Sequence, residues 1–142
     1  VDPGAHITAL ARRRMEQAPV PVELLPLSGE SVPADDHSFD TVLVTYTLCT
    51  LPDVAGALAE ARRVLRPGGE LLFCEHGAAP DAGVRRWQDR LNPAWRRLAG
   101  GCHLNRDAPA MIEAAGFRLT TVESMYLPGW RPASFNVWGA AE

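Results

Sequence analysis

The sequence contains no lysine, few cysteines, few aromatic residues and no long hydrophobic run. All fourteen cationic side chains are arginine, and a net charge of −3 gives no general reason to expect a nucleic-acid partner. The three cysteines, Cys49, Cys74 and Cys102, lack CxxC spacing. That argues against a disulfide framework and a structural zinc site, so we expect no metal and a reducing, cytoplasmic environment. No apolar segment approaches the ~18 residues of a membrane-spanning helix.

What is present is the composition of one globular domain, and its clearest pattern lies in residues 38–76. Residues 39–46 are almost continuously apolar, which is typical of a strand covered on both faces of a parallel sheet. Asp53 is suited to cap a following helix, and Gly68-Gly69 to form the sharp turn after it. Leu71–Cys74 then predict a second buried strand. A strand, helix and strand in one sheet make a right-handed crossover, which predicts an α/β fold.

Further elements are predicted on both sides of this unit. They are a helix ending near Ala18, a strand from Val22 to Leu27, a helix from Val84 to Leu98 that Pro93 should kink or split, a short helix capped by Asn105 and ended by Gly116, and an antiparallel edge hairpin made of residues 117–124 and 135–140.

Four motifs in this order resemble the class I S-adenosylmethionine-dependent methyltransferases. They are VDP at 1–3, SGESVP at 28–33, SFDTVLVTYTLCTLPD at 38–53 and LRPGGELLFCEH at 65–76. The set is similar to the small-molecule branch that includes the quinone C-methyltransferases. Residues 85–117 resemble the methyltransferase-like thiol methyltransferases more closely still. The resemblance implies a Rossmann-like, doubly wound, mostly parallel sheet and S-adenosylmethionine as the cofactor.

The family's GxGxG turn, and the central first strand before it, have no counterpart here, because the sequence begins at Val1, one strand too late. We therefore expect residues 1–142 to form a single truncated methyltransferase domain, a fragment of the full enzyme. The alternative is a non-catalytic module that folds by dimerisation or with a missing partner segment.

The resemblance implies a cofactor site at the carboxyl ends of the parallel strands. It assigns the carboxylate of Asp2 to the two ribose hydroxyls, and the alternative role of Asp2 is a helix cap. It assigns the loop 28–30 to adenine and the end of the 39–46 strand to the methionine part and the methyl-transfer point. The candidate cofactor-binding set is Asp2, Pro3, Ser28, Gly29, Glu30, Thr45, Tyr46 and Thr47.

The expected acceptor is a small, fairly apolar molecule: a thiol, a quinone-like carbon or a lipid-like amine. The resemblance of residues 85–117 to the thiol methyltransferases favours sulfur. His76 is a candidate general base and Tyr46 a second catalytic candidate, while a structural histidine and a packed tyrosine remain the alternatives. Glu75 also ends the second strand and could face the acceptor.

By resemblance, residues 77–106 form the variable cap over the substrate. Its tryptophans either wall an acceptor pocket or pack the helix on the core. Its arginines either form a solvated face or touch an anionic or membrane-interface substrate. Cys102-His103 is not expected to act as a nucleophile pair, because adjacent residues usually point apart. The candidate acceptor-binding set is Cys49, His76, Trp87, Trp95, His103, Arg106 and Tyr126.

Overall fold

The structure, a computed structural model, describes residues 11–23 and 31–142. Residues 11–15 are helical, in agreement with the predicted helix that ends before Pro19, and most of the predicted strand from Val22 to Leu27 lies outside the described residues. The remaining elements are β1 (Phe39–Thr45), α1 (Val54–Val64), β2 (Leu65–His76), α2 (Ala82–Leu98), α3 (Ala108–Ala114), β3 (Leu119–Tyr126), α4 (Arg131–Ser134) and β4 (Phe135–Ala141).

The four described strands form one sheet in the order β1-β2-β4-β3. β1 and β2 are parallel, whereas β4 is antiparallel to both β2 and β3. Three of these four strands therefore run in the same direction. The predicted α/β class and the carboxyl-terminal antiparallel hairpin are confirmed, with β3 at the edge and β4 inside the sheet.

The first crossover helix, α1, begins as the sequence predicts. Asp53 caps it, because its Oδ1 accepts a hydrogen bond of 2.9 Å from the backbone N–H of Gly56. Leu58, Ala61 and Val64 form its buried face, and burying a leucine of this kind contributes roughly 1.5–3 kcal/mol. The end of the helix differs from the prediction: β2 starts directly at Leu65, and the double glycine lies inside this strand.

The prediction that β1 is covered on both faces is wrong for the described part of the chain. Val42 and Val44 are half-buried, but Leu43 between them is 67% exposed. Within the described residues the face that carries Leu43 is left open, and β1, which pairs there only with β2, also lies at the sheet edge. An apolar cavity of about 240 Å³ lies between this strand and α1.

The core occupies the space between the sheet, α1 and α3. Its members are Leu48, Leu58, Ala61, Leu65, Leu71, Phe73, Ala108, Ile112, Phe117, Val137 and Ala141. α3 is capped by Asp107, whose Oδ1 accepts a 3.1 Å hydrogen bond from the N–H of Ala110. The prediction of Asn105 as the cap is wrong, because that amide instead donates to Asp89.

α2 runs without interruption through Pro93, so the predicted split of this helix does not occur. After α3 the chain turns at Gly116, whose φ of +89° is the left-handed conformation predicted for a helix end. Within the described ranges, no helix has both the length and the apolar character needed to cross a bilayer.

Candidate active site

The carboxyl ends of β1 and β2 meet the start of β4 at one edge of the sheet. Tyr46 follows β1 with a left-handed φ of 47°, and its N–H donates to the carbonyl of Cys74. Its hydroxyl donates a 2.7 Å hydrogen bond to Oδ1 of the buried Asn136. Its ring lies 6.2 Å from the ring of His76, the last residue of β2. The structure thus brings together the two side chains that the sequence predicted as catalytic.

Glu75 shapes the loop beneath these two residues. Its carboxylate is fully buried and accepts hydrogen bonds from the N–H groups of Thr47 (2.7 Å), Leu48 (3.0 Å) and Cys49 (3.3 Å). Burial raises the pKa of Glu75, and the three N–H donors oppose that rise. The expectation that this carboxylate faces the acceptor is wrong, because the side chain points inward and fixes the 47–49 loop.

Arg106 holds the same loop from the opposite side. Its Nη1 donates to the carbonyls of Leu48 (2.5 Å) and Leu51 (2.7 Å). The neighbouring His103 donates its backbone N–H to the carbonyl of Cys49 at 2.8 Å. Both residues were predicted to contact the acceptor, and the structure shows them tying the segment after α2 to the loop after β1. Burial, then the charges of Arg106 and Arg96, lower the pKa of the His103 side chain.

Cys49, His76 and Cys102 form a compact cluster at this edge. Nε2 of His76 lies 2.9 Å from Sγ of Cys102, and the three side-chain ligand atoms lie within 4.8 Å of one another. Burial lowers the pKa of His76, which keeps its imidazole neutral at pH 7, and raises the pKa of Cys49 to about 12. Sequence reasoning missed the role of Cys102, because its partner is not the adjacent His103 but a histidine 26 positions away.

The aromatic candidates of the cap and the hairpin contact a different set of residues. Trp87 and Trp130 line a groove of about 930 Å³ between α2 and the segment that precedes β4. Trp95 packs its ring 6.0 Å from that of Trp130. The hydroxyl of Tyr126 is hydrogen bonded to Asp81, and the guanidinium carbon of Arg131 lies 4.3 Å from its ring centroid. None of the residues lining this groove belongs to the Cys49–His76–Cys102 cluster.

Five predicted cofactor residues, Asp2, Pro3, Ser28, Gly29 and Glu30, lie outside the described residues, and their roles stay predictions. At the described rim, Thr45 is exposed and Tyr46 is 51% exposed, so the end of β1 is open to a ligand. The N–H groups of the 47–49 loop are already used by Glu75. The residues present therefore fit a cofactor that touches the rim through side chains and carbonyl groups.

Comparison with known proteins decides the family. Residues 1–73 match a family model described as a methyltransferase domain. The chain belongs to this methyltransferase family. Over 108 residues it is 37% identical to the thiol S-methyltransferase TMT1B of Rattus norvegicus, an alignment that covers 75% of this chain and 44% of the rat protein.

Two further similarities agree with this family. Over 95 residues the chain is 34% identical to the demethylmenaquinone methyltransferase of Clavibacter sepedonicus, covering 61% of this chain and 38% of that protein. The fold is similar to a SAM-dependent methyltransferase of Thermotoga maritima, with a TM-score of 0.69 and 22% identity over 98% of this chain and 70% of the other. This methyltransferase chain thus spans less than half the length of the curated relatives described here.

Proposed function

We propose that this chain carries part of the catalytic domain of an S-adenosylmethionine-dependent methyltransferase that acts on a small apolar acceptor, in the first place a thiol. The observation that carries the proposal is the placement of His76 against Tyr46 at the carboxyl edge of the sheet, in a chain of this family. The identity with a thiol S-methyltransferase supports sulfur as the acceptor atom.

The cofactor would lie across the carboxyl ends of the strands, as ligands do in open α/β sheets. Asp2 would hold the ribose, the loop 28–30 the adenine, and residues 45–47 the methionine part. When bound, S-adenosylmethionine supplies an electrophilic methyl group on a sulfonium sulfur.

The protein's own task is to position the acceptor and to remove its proton. His76 is half-buried and neutral, so its imidazole can accept the proton of an acceptor thiol. Tyr46 is held by Asn136, and its ring lies 6.2 Å from that imidazole. Alignment of the acceptor sulfur and exclusion of water account for the remaining acceleration.

Residues 77–106 would act as the cap over the acceptor. α2 is anchored there through Gln88, whose buried amide donates to the carbonyls of Gly77 and Pro132 and accepts from the N–H of Ala79. The exposed faces of Trp87 and Trp130 in the adjoining groove would guide apolar acceptors or contact a membrane interface. Such a cap would sit directly beside the cluster that contains His76, because Gly77 follows it in the chain.

We further propose a cytoplasmic location and a truncated domain that pairs with a second copy or a missing segment. The three cysteines are free, which fits a reducing compartment. The apolar edge of β1 fits an incomplete sheet. A non-catalytic module remains the second candidate function, and the exposed edge of β1 is the observation that favours it.

The test is a methyl-transfer assay with S-adenosylmethionine and either thiophenol or a hydroquinone, measured as S-adenosylhomocysteine formed. We expect turnover with the thiol, and a loss of about 10²-fold or more in kcat for His76→Asn, the usual contribution of a general base. The matched control is His37→Asn, because His37 is exposed and asparagine tolerates its left-handed φ of 54°. Folded protein without turnover on either acceptor, or equal rates for the two variants, would contradict the proposal.

A further inference from the structure

The Cys49–His76–Cys102 cluster has the composition of a metal site as well as that of a proton-accepting site. Two thiols and one imidazole are the soft and borderline donors that zinc selects. They come from three separate segments: the loop after β1, the end of β2 and the loop after α2. Among the residues that the structure describes, this is the group whose ligand atoms lie within 4.8 Å of one another.

The distances fit a small ion after a minor adjustment. Zinc–sulfur bonds of about 2.3 Å and zinc–nitrogen bonds of about 2.0 Å place tetrahedral ligands roughly 3.5–3.8 Å apart. His76 Nε2 and Cys102 Sγ lie 2.9 Å apart, at hydrogen-bond distance. An ion would replace the shared proton and move these two atoms apart by less than about 1 Å.

Both cysteine-bearing segments are already fixed relative to each other. The N–H of Cys49 donates to Glu75, and its carbonyl accepts the backbone hydrogen bond from His103, the residue next to Cys102. Arg106 closes the same loop through Leu48 and Leu51. Pre-positioned ligands of this kind reduce the ordering cost of binding an ion.

The charges around the cluster balance a divalent cation. Cys49 and Cys102 would each release a thiol proton to solvent when the ion binds, and the resulting two thiolates and neutral imidazole neutralise a charge of +2. The nearby carboxylate of Glu75 and the guanidinium of Arg106 offset each other. His76 and Cys102 are half-buried rather than enclosed, which leaves an entry path for the ion.

We propose that Cys49, His76 and Cys102 form a binding site for Zn²⁺ with three protein ligands and an open fourth position. Three-ligand sets of this Cys2His type leave room for a water or a substrate, unlike closed four-ligand structural sites. The site departs from the expectation of no metal that the cysteine spacing gave, because spacing along the chain does not show ligands that the fold gathers. Its existence does not depend on methyl transfer. An ion on Nε2 would take the lone pair that His76 needs to accept a proton, so metal binding and the proton-accepting role given to His76 under the proposed function exclude each other.

The test is titration of the reduced, metal-free protein with Co²⁺ in the absence of cofactor and acceptor. We expect one Co²⁺ per chain, a sulfur-to-cobalt charge-transfer band in the near ultraviolet, and displacement by Zn²⁺. Cys102→Ser should lower the band to about half, because one of two thiolates is lost, and the variant with both Cys49→Ser and Cys102→Ser should abolish it. The matched control is Cys74→Ser, because this third free cysteine lies outside the cluster, and it should leave the band unchanged.

Circular dichroism and thermal unfolding establish that each variant is folded. If Cys49→Ser does not fold, His76→Ala and Cys102→Ser, which alter half-buried positions, carry the test. The proposal would be overturned by a folded wild-type protein without the band. It would also be overturned by a band that persists both in His76→Ala and in the double variant. Because no cofactor is present, these outcomes are independent of whether the methyl-transfer assay succeeds.

Discussion

At the scale of single residues, the buried carboxylate of Glu75 determines the shape of the active-site loop. Glu75→Gln replaces the buried Oε2, which accepts from the N–H of Cys49, with an amide NH2 group that cannot accept. We expect the free energy of unfolding to fall by about 1–3 kcal/mol, measured by urea denaturation. Glu123→Gln, the same change at an exposed position of β3, should stay within about 0.5 kcal/mol of the parent. Equal effects of the two substitutions would show that Glu75 does not organise the loop.

A second carboxylate, Glu60, links stability to pH. Arg63 donates to Oε1 of Glu60 at 2.8 Å, and the N–H of Val32 donates to Oε2 at 3.0 Å. The hydrogen bond from Arg63, followed by that from Val32, lowers the pKa of Glu60 from 4.5 to about 2. A carboxyl whose pKa is lower in the folded state stabilises the protein above its unfolded pKa, and this contribution is lost as pH falls through the folded value.

We therefore expect Glu60→Gln to flatten the loss of stability between about pH 4.5 and pH 2. The measurement is urea denaturation at a series of pH values. Glu113→Gln, at an exposed position of α3, serves as the control and should leave the slope of the parent protein unchanged. A Glu60→Gln profile parallel to that of the parent over this interval would contradict the assignment.

At the scale of elements, the buried amide of Gln88 joins α2 to two other segments of the domain. Gln88→Leu keeps the volume of the side chain but leaves the N–H of Ala79 and the carbonyls of Gly77 and Pro132 without partners. We expect a loss of about 2–4 kcal/mol in the free energy of unfolding, because unpaired buried polar groups are expensive. Arg90→Leu, an exposed position on the same helix, is the control for added apolar surface. A loss for Gln88→Leu no larger than that of the control would contradict the anchoring role.

Elements defined by local chemistry were predictable from the sequence. Asp53 predicts the start of α1, and Gly116 predicts the end of α3. The apolar runs predict the strands of the hairpin. Two local features, the cap of α3 and the exposure of β1, were not predictable from the sequence, because they depend on partners distant in the chain. Asp107 caps α3 while Asn105 is engaged by Asp89, and β1 is half-exposed because one of its faces is left open within the described residues.

The candidate active site also contains features that were predictable from the sequence and features that were not. Tyr46 and His76 follow predicted strands, so their meeting at one sheet edge follows from the topology. The inward turn of Glu75 and the pairing of Cys102 with His76 depend on side-chain directions and on a loop packed across the sheet. Neither leaves a periodic signal in the sequence.

At the scale of the whole molecule, the apolar edge of β1 is the main liability of the described structure. An unpaired strand edge with exposed apolar side chains is a template for association. Leu43→Lys, at a position that is 67% exposed, should lower concentration-dependent light scattering without lowering the thermal transition. Leu98→Lys makes the same chemical change at an 87% exposed position of α2, away from any strand edge, and should have a smaller effect. Equal effects would assign the association to general surface apolarity rather than to the edge.

We propose above that the carboxyl edge of this sheet is a cleft for an adenosyl cofactor, with Asp2 holding the ribose. The most direct measurement is calorimetric titration of the folded protein with S-adenosylhomocysteine. We expect one binding site per chain. We also expect Asp2→Ala to bind about tenfold or more weakly, the usual effect of losing a charged hydrogen bond. Asp36→Ala, at an exposed position that pairs with Arg63, should bind as the parent does. Folded protein that produces no binding heat at two temperatures, or equal binding by the Asp2 variant, would contradict the claim.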